Sequence, residues 1–344
     1  MSLLKTFKDK LGNIIYPTTH AKAVLVEKDG TVVNLQTAIN NGDIGGGGAP
    51  KLDINPTSVT IKNYPNGTLW LTSSNNEINL FAKVNGIKYT LQLEKSLDEI
   101  ALKFSSDSDF TLSAPKNWDG TLEYTLDNGS TWTTWDGSQL SGTASQPIYL
   151  RGIGNSVING TDSYYWNFTG KYCTGNIENL LDYQTVANGE HPVMGERCYE
   201  NLFRYCTNLI QAPELPATTL ANECYSMMFK GCTSLTKTPE LPATELADSC
   251  YYTMFTGCTS LTKAPELPAT TLRVSCYRNM FSGCTSLKLS ETQTGEYQYA
   301  YRIPTTGEGT TATNALTNMF ANTGGTFTGT PEINTTYYTT NQPV

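Results

Sequence analysis

Histidine is nearly missing from this chain: 344 residues contain only His20 and His191. They stand far apart and neither lies in a nucleophile motif, so no Ser/His/Asp constellation and no enzyme is expected. Paired carboxylates stay open, because sequence spacing alone does not set their separation in space. Charged residues are 16%, net charge is −8 and the pI is near 4.9, with no basic stripe. A phosphate backbone needs such a stripe, so no nucleic-acid partner is expected. No apolar run reaches the roughly 18 residues of a membrane span, so no membrane insertion is expected. Met1-Ser-Leu-Leu-Lys-Thr-Phe-Lys8 lacks the apolar core of a signal peptide, and the chain is expected to begin in a cytosol. Cys-x-x-Cys spacing is also missing, and no cofactor or metal is expected.

What is abundant is repetition. Cys198, Cys224, Cys250 and Cys276 recur every 26 residues, each followed eight positions later by Cys206, Cys232, Cys258 or Cys284. Phe203, Phe229, Phe255 and Phe281 lie between. A fixed period of this size predicts coils that bury their apolar faces on one another. Cys224, Met228 and Cys232 fall at i, i+4 and i+8, which predicts one face of a short helix. Asn222 and Asp248 stand at the N-cap and Gly231, Gly257 and Gly283 at the left-handed end. Tyr205 replaces that glycine, so the first coil is expected to end differently. The next segment, Leu235-Thr-Lys-Thr-Pro-Glu-Leu-Pro242, reads as extended, since each proline fixes its own φ and disfavours helix before it.

On such a helix the paired cysteines stand about 12 Å apart, too far for a disulfide. All nine cysteines are therefore expected to be free, small and buried. The tyrosines at 225, 251 and 277 have two readings, as outward contact groups with Lys230 and Arg278, or as rings in the coil core. Glu214, Glu240 and Glu266 recur at one position and read as a solvated edge, with a cation or basic partner as the alternative.

The repeated phrase Cys-Tyr-x-x-Met-Phe-x-Gly-Cys-Thr-Ser-Leu-Thr-x-x-Pro-Glu-Leu-Pro-Ala-Thr resembles the BspA-like leucine-rich repeats of surface proteins from gut bacteria and the phages that infect them, Bacteroidales phages included. That resemblance covers about a third of the chain. It implies a solenoid and surface recognition and names no ligand.

Residues 1–40 form the second informative stretch. Ala21-Lys-Ala-Val-Leu-Val-Glu27, a turn at Lys28-Asp-Gly30, and Thr31 to Ile39 predict a β-hairpin followed by a short helical segment. Such a hairpin is too small for a core and needs sister chains or a partner. The phrase Gly12-Asn-Ile-Ile-Tyr-Pro-Thr-Thr-His-Ala21 resembles the virion-anchoring N-termini of phage fibre and appendage proteins. The resemblance implies attachment to other virion structural proteins through residues 1–40, with Tyr16, Pro17 and His20 in the anchor, and a trimeric stem.

Asn41 to Pro50 is Gly-rich and reads as a linker, since a phosphate-cradling loop would carry Lys followed by Ser or Thr. Residues 51–104 alternate apolar and polar residues and read as a small all-β domain, with 96–104 its single helix or another strand. Residues 105–172 hold Trp118, Trp132, Trp135 and Trp166 among hairpin turns such as Asn128-Gly129. Exposed, Trp132 and Trp135 would form a glycan platform; buried, they plug a β core. Residues 173–287 are the repeats. Residues 288–344 read as a degenerate last repeat and cap, because Leu316 to Asn322 matches Tyr277 to Gly283 after 39 residues rather than 26.

The expected whole is mainly β and modular: an anchoring hairpin, small all-β domains, then a short repeat solenoid with short helices. Its expected role is a homotrimeric structural protein of a phage virion, a head or tail fibre made in the host cytoplasm and displaying a domain for a host-surface glycan or protein. A bacterial leucine-rich-repeat adhesin and a glycan depolymerase are the alternatives. An export signal would favour the first, and its absence before Met1 speaks against it; a cleft with two carboxylates would favour the second.

Overall fold

Alternating apolar and polar residues over 25–92 produce strands, and turn-rich spacing keeps them short. The computed structural model describes residues 96–159, 165–303, 312–333 and 335–344 in full, and six strands before them as backbone. The chain is mainly β, and residues 1–96 and 97–344 form two compact units.

In the first unit β1 (Leu25–Lys28), β2 (Thr31–Asn34), β3 (Leu52–Ile54), β4 (Leu69–Ser74), β5 (Glu77–Val84) and β6 (Ile87–Gln92) make one sheet in the order β2-β1-β6-β5-β4-β3. The expected hairpin is β1 and β2, closed at Lys28↔Thr31. Its partner is this chain's own β6, through Leu25↔Gln92 and Val26↔Leu91. Tyr16, Pro17, His20, the helical segment and the 41–50 linker lie outside the described residues.

The second unit opens with α1 (Leu97–Ile100) and β7 (Leu102–Ser105), so residues 97–104 supply both a helical turn and a strand. They belong to this unit rather than to the strands before them, since β7 pairs with β12 (Ile148–Ile153) and β14 (Tyr172–Thr174). β9 (Thr121–Thr125) and β10 (Thr133–Thr134) complete that sheet. Asn128 and Gly129 between them both have positive φ, as the Asn-Gly signal requires. A second sheet joins β8 (Phe110–Ser113), β11 (Leu140–Gly142) and β13 (Asn167–Phe168). Phe104, Phe110 and Phe168 meet edge to face at 5.2 and 5.7 Å. α2 (Asn179–Ala187), broken at Asp182, lies so close to β12 that a Cβ on Gly152 would fall 1.7 Å from the Leu180 carbonyl.

The 26-residue repeats from 198 to 287 contain no helix; α2 precedes them. Their arcs are chains of turns with a left-handed residue every fourth position: Glu223, Met227 and Gly231; Ser249, Thr253 and Gly257; Ser275, Asn279 and Gly283. Alternate N–H groups bond back three residues, as Ser226 to Glu223, while those between cross to the next repeat, as Tyr225 to Cys250, Met227 to Tyr252 and Phe229 to Met254. Every arc N–H from 223 to 232 is thereby satisfied. A four-residue turn period lies close to the 3.6 of a helix, so Cys224, Met228 and Cys232 still point inward together. Asn222 and Asp248 are not N-caps: their side chains accept from Asp248 N–H at 3.1 Å and Val274 N–H at 3.2 Å in the next repeat. Tyr205 does not end its coil differently, for it adopts the same left-handed φ, 61°.

Repeat stacks on repeat through two columns of rings. Tyr199, Tyr225, Tyr251 and Tyr277 succeed one another at 5.6 to 5.8 Å, and Phe203, Phe229, Phe255 and Phe281 at 5.5 to 5.6 Å. Each such pair contributes about 0.5–1.5 kcal/mol beyond area burial. The 39-residue step carries Phe320 onto Phe281 at 5.6 Å. At one end of the stack Ile158, Asn159 and Trp166 donate to the carbonyls of Cys198 and Leu202. At the other, Asn318 and Phe320 N–H groups are taken by Thr330 Oγ1 and Gly329 O. One core therefore runs from Leu102 to Tyr337. β15 (Leu289–Ser290), β16 (Tyr299–Tyr301) and β17 (Tyr337–Thr339) form a small final sheet in the order β15-β17-β16.

Candidate recognition surface

Recognition needs side chains that reach solvent, and the strongest sequence candidates do not. Tyr225, Tyr251 and Tyr277 are at most 2% exposed. Their rings are the stack itself, and burial pushes each phenol well above its ordinary value. The outward reading of these tyrosines is corrected to the core reading. Trp135 is buried too, stacked on Trp118 at 5.6 Å and edge-on to Trp166 at 5.3 Å, with its indole N–H donated to Ser138 O. The β core claims it because a buried indole needs one acceptor and finds it three residues on. Trp132 is half-buried. One face is covered by Arg151, whose guanidinium lies 3.8 Å from the Trp132 ring centroid and 4.2 Å from that of Tyr183 and pairs with Glu123 at 2.8 Å.

All nine cysteines are free and buried. In three of the four repeats the second cysteine donates its thiol to the phenylalanine carbonyl one repeat back, Cys232 to Phe203 at 3.0 Å, Cys258 to Phe229 at 3.2 Å and Cys284 to Phe255 at 3.1 Å, while Cys206 donates to Trp166 O at 3.5 Å. Burial holds the thiols protonated, with Cys206 and Cys258 pushed up to about 12 and Cys276 to about 11. A protonated, enclosed thiol neither attacks nor ligates.

The surface offers other groups. Tyr165 and Tyr205 are 44% and 48% exposed and meet edge to face at 5.8 Å. Arg204 lies 4.8 Å over the Tyr205 ring and donates to its hydroxyl at 3.3 Å, holding that phenol below its ordinary value, with Lys230 assisting. The ring rests on the backbone of Gly231, where a Cβ would fall 2.4 Å from Tyr205 Cδ1. The sequence signal is the loss of glycine at 205, which marks an aromatic group set on the outer face rather than a break in the coil.

Two further features lie apart from this patch. His191 Nδ1 is 2.8 Å from the carboxylate of Glu178, whose side chain is only 3% exposed. Burial raises the Glu178 pKa and the His191 contact opposes it. Glu214, Glu240 and Glu266 are exposed, as a solvated edge requires. Among the described residues no group of three or more His, Cys, Asp or Glu side chains gathers as a metal site, and no helix is long and apolar enough to cross a membrane. Comparison with known proteins finds no matching family model, no matching curated protein and no matching solved structure.

Proposed function

We propose that this protein is a structural fibre of a phage virion, attached at head or tail, whose stacked repeats are a short BspA-like leucine-rich-repeat solenoid presented to the host surface. The observation that carries the reading is the register of the stack. N–H groups cross to the next repeat at a constant offset of 25 residues from 197 to 257, and the phenylalanine column persists across the 39-residue step. A rod built this way offers a long rigid outer face, which suits adhesion.

The contact groups in this reading are Tyr165, Tyr205 and Arg204, with the half-buried Trp132, in place of the buried tyrosine ladder. Exposed rings beside cations suit a host-surface glycan, acidic ones above all. Residues 1–40, with Tyr16, Pro17 and His20, are the proposed attachment to other virion structural proteins, and three chains are the proposed assembly. Three weak sites on one fibre raise avidity through effective concentration.

Antibody against residues 175–287, used to label particles for electron microscopy, tests the placement. Label at fibre tips is expected; label absent from purified particles overturns it. Incubation with host capsular polysaccharide separates binder from depolymerase. Retention at unchanged chain length is expected, whereas shortening favours the enzyme.

A further inference from the structure

The Pro-Glu-Leu-Pro face carries a groove of about 480 Å³ whose walls include Pro213, Glu214, Lys237, Thr238, Glu240 and Val344. The same backbone position borders this face in three repeats, and two are already paired. Glu214 N–H donates to Gly175 O at 2.9 Å and its carbonyl accepts from Ile177 N–H at 3.1 Å. Glu266 N–H donates to Val344 O at 3.1 Å while Val344 N–H donates to Ala264 O at 3.1 Å. Both are the two-bond pattern of a parallel bridge. Glu240 stands between them, and neither its N–H nor the Thr238 carbonyl has a partner among the described residues. The Thr238 hydroxyl is also without one, although that residue is 2% exposed. Prolines thin the pairing, because Pro213, Pro216, Pro239 and Pro242 donate nothing, and beside Thr238 the edge meets the next repeat only in the isolated parallel bridge Lys237↔Lys263.

We infer that the Thr238–Glu240 edge receives an extended basic peptide strand. Val344 shows the geometry one repeat away: a residue whose N–H meets the carbonyl at one position and whose oxygen meets the N–H two positions on. Edge addition of this kind takes affinity from the main chain and selectivity from the flanking side chains. Those flanks are the exposed carboxylates of Glu214 and Glu240 against the single ammonium of Lys237, so the favoured strand carries Lys or Arg. The Thr238 hydroxyl supplies a further bond at the floor. The inference stands whether or not the protein belongs to a virion.

The test uses the full chain and a fluorescein-labelled peptide of alternating lysine and valine, followed by polarisation. Saturable binding is expected, weakened roughly tenfold by joint Glu214→Gln and Glu240→Gln substitution and about as much by Thr238→Val, each the loss of about one polar interaction. The same peptide N-methylated at alternate residues cannot bridge and is expected to lose binding. No saturable binding, equal binding of the N-methylated peptide, or unchanged binding by the double variant overturns the proposal. Displacement of the peptide by chitohexaose also overturns it and assigns the groove to a sugar. Both glutamates are exposed, and unchanged melting of the variant shows that it is folded.

Discussion

Cys258 donates its thiol to the carbonyl of Phe229 across 3.2 Å, whereas Cys250, eight residues earlier in the same repeat, makes no such bond to a carbonyl among the described residues. Serine should tell the two apart. At 258 the new hydroxyl inherits a ready acceptor, while at 250 a stronger polar group is buried without one, at about 1–3 kcal/mol. Urea denaturation should place Cys250→Ser well below Cys258→Ser. Equal losses would remove the thiol to carbonyl bond from the account of the stack.

The same burial predicts silence toward thiol reagents. Native protein should react at almost none of its nine cysteines, and protein denatured without reductant should react at all nine. A substantially smaller denatured count means disulfides, which would contradict the free thiols.

Much of this was legible because the period is strict. Cys, Phe and Tyr at 26-residue steps fix which side chains share a layer, and the 39-residue match of 316–322 to 277–283 identifies the step that places Phe320 on Phe281. The local backbone was less legible, since i, i+4, i+8 spacing fits an arc of four-residue turns as well as a helix. The discriminating signal lies in Asn201, Asn279, Asn314, Asn318 and Asn322, all with positive φ. Asparagine tolerates that region better than most residues, and its recurrence marks turns. The burial of Tyr225 and the exposure of Tyr205 were not legible, because both depend on which side of the arc faces the neighbouring repeat. The open edge at Glu240 was equally hidden, since its pairing depends on residues as distant as Gly175 and Val344.

Gly231 and Gly257 share φ values of 75° and 74°, yet their neighbours differ. A Cβ at Gly231 meets the Tyr205 ring at 2.4 Å, while at Gly257 the nearest atom is Gly231 Cα at 3.9 Å. Alanine at 257 should cost only the left-handed penalty, about 1 kcal/mol. At 231 it should cost more and displace Tyr205, and adding Tyr205→Gly should recover the excess. A double-mutant cycle reads this directly, and simple additivity would show that the ring does not rest on Gly231.

Glu178 gives the fold a pH dependence of defined sign. Burial raises its folded pKa above the ordinary 4.5, against the opposing pull of His191. A raised carboxyl contributes stability in full below about 4.5, and that contribution is lost as pH rises through the folded pKa. Between pH 4 and 7 wild type should therefore lose stability relative to Glu178→Gln, and His191→Ala should enlarge the loss by removing the contact that favours ionisation. Parallel profiles for wild type and Glu178→Gln would refute the assignment.

Thr238 and Tyr225 share one feature and differ in another. Both bury a hydroxyl that has no partner, Thr238 at the groove and Tyr225 within the tyrosine column. An unsatisfied buried hydroxyl costs about 1–3 kcal/mol, so deleting it at constant shape should stabilise. Thr238→Val and Tyr225→Phe are both expected to raise the urea midpoint. Only the first should weaken binding of the alternating Lys-Val peptide, because only Thr238 lines the groove. A hydroxyl kept at a cost in stability has a use where it faces a ligand, and Tyr225 has none to face. If Thr238→Val leaves the midpoint unchanged, the hydroxyl is already satisfied in the free protein; if it stabilises without weakening the peptide, the floor of the groove takes no part in binding.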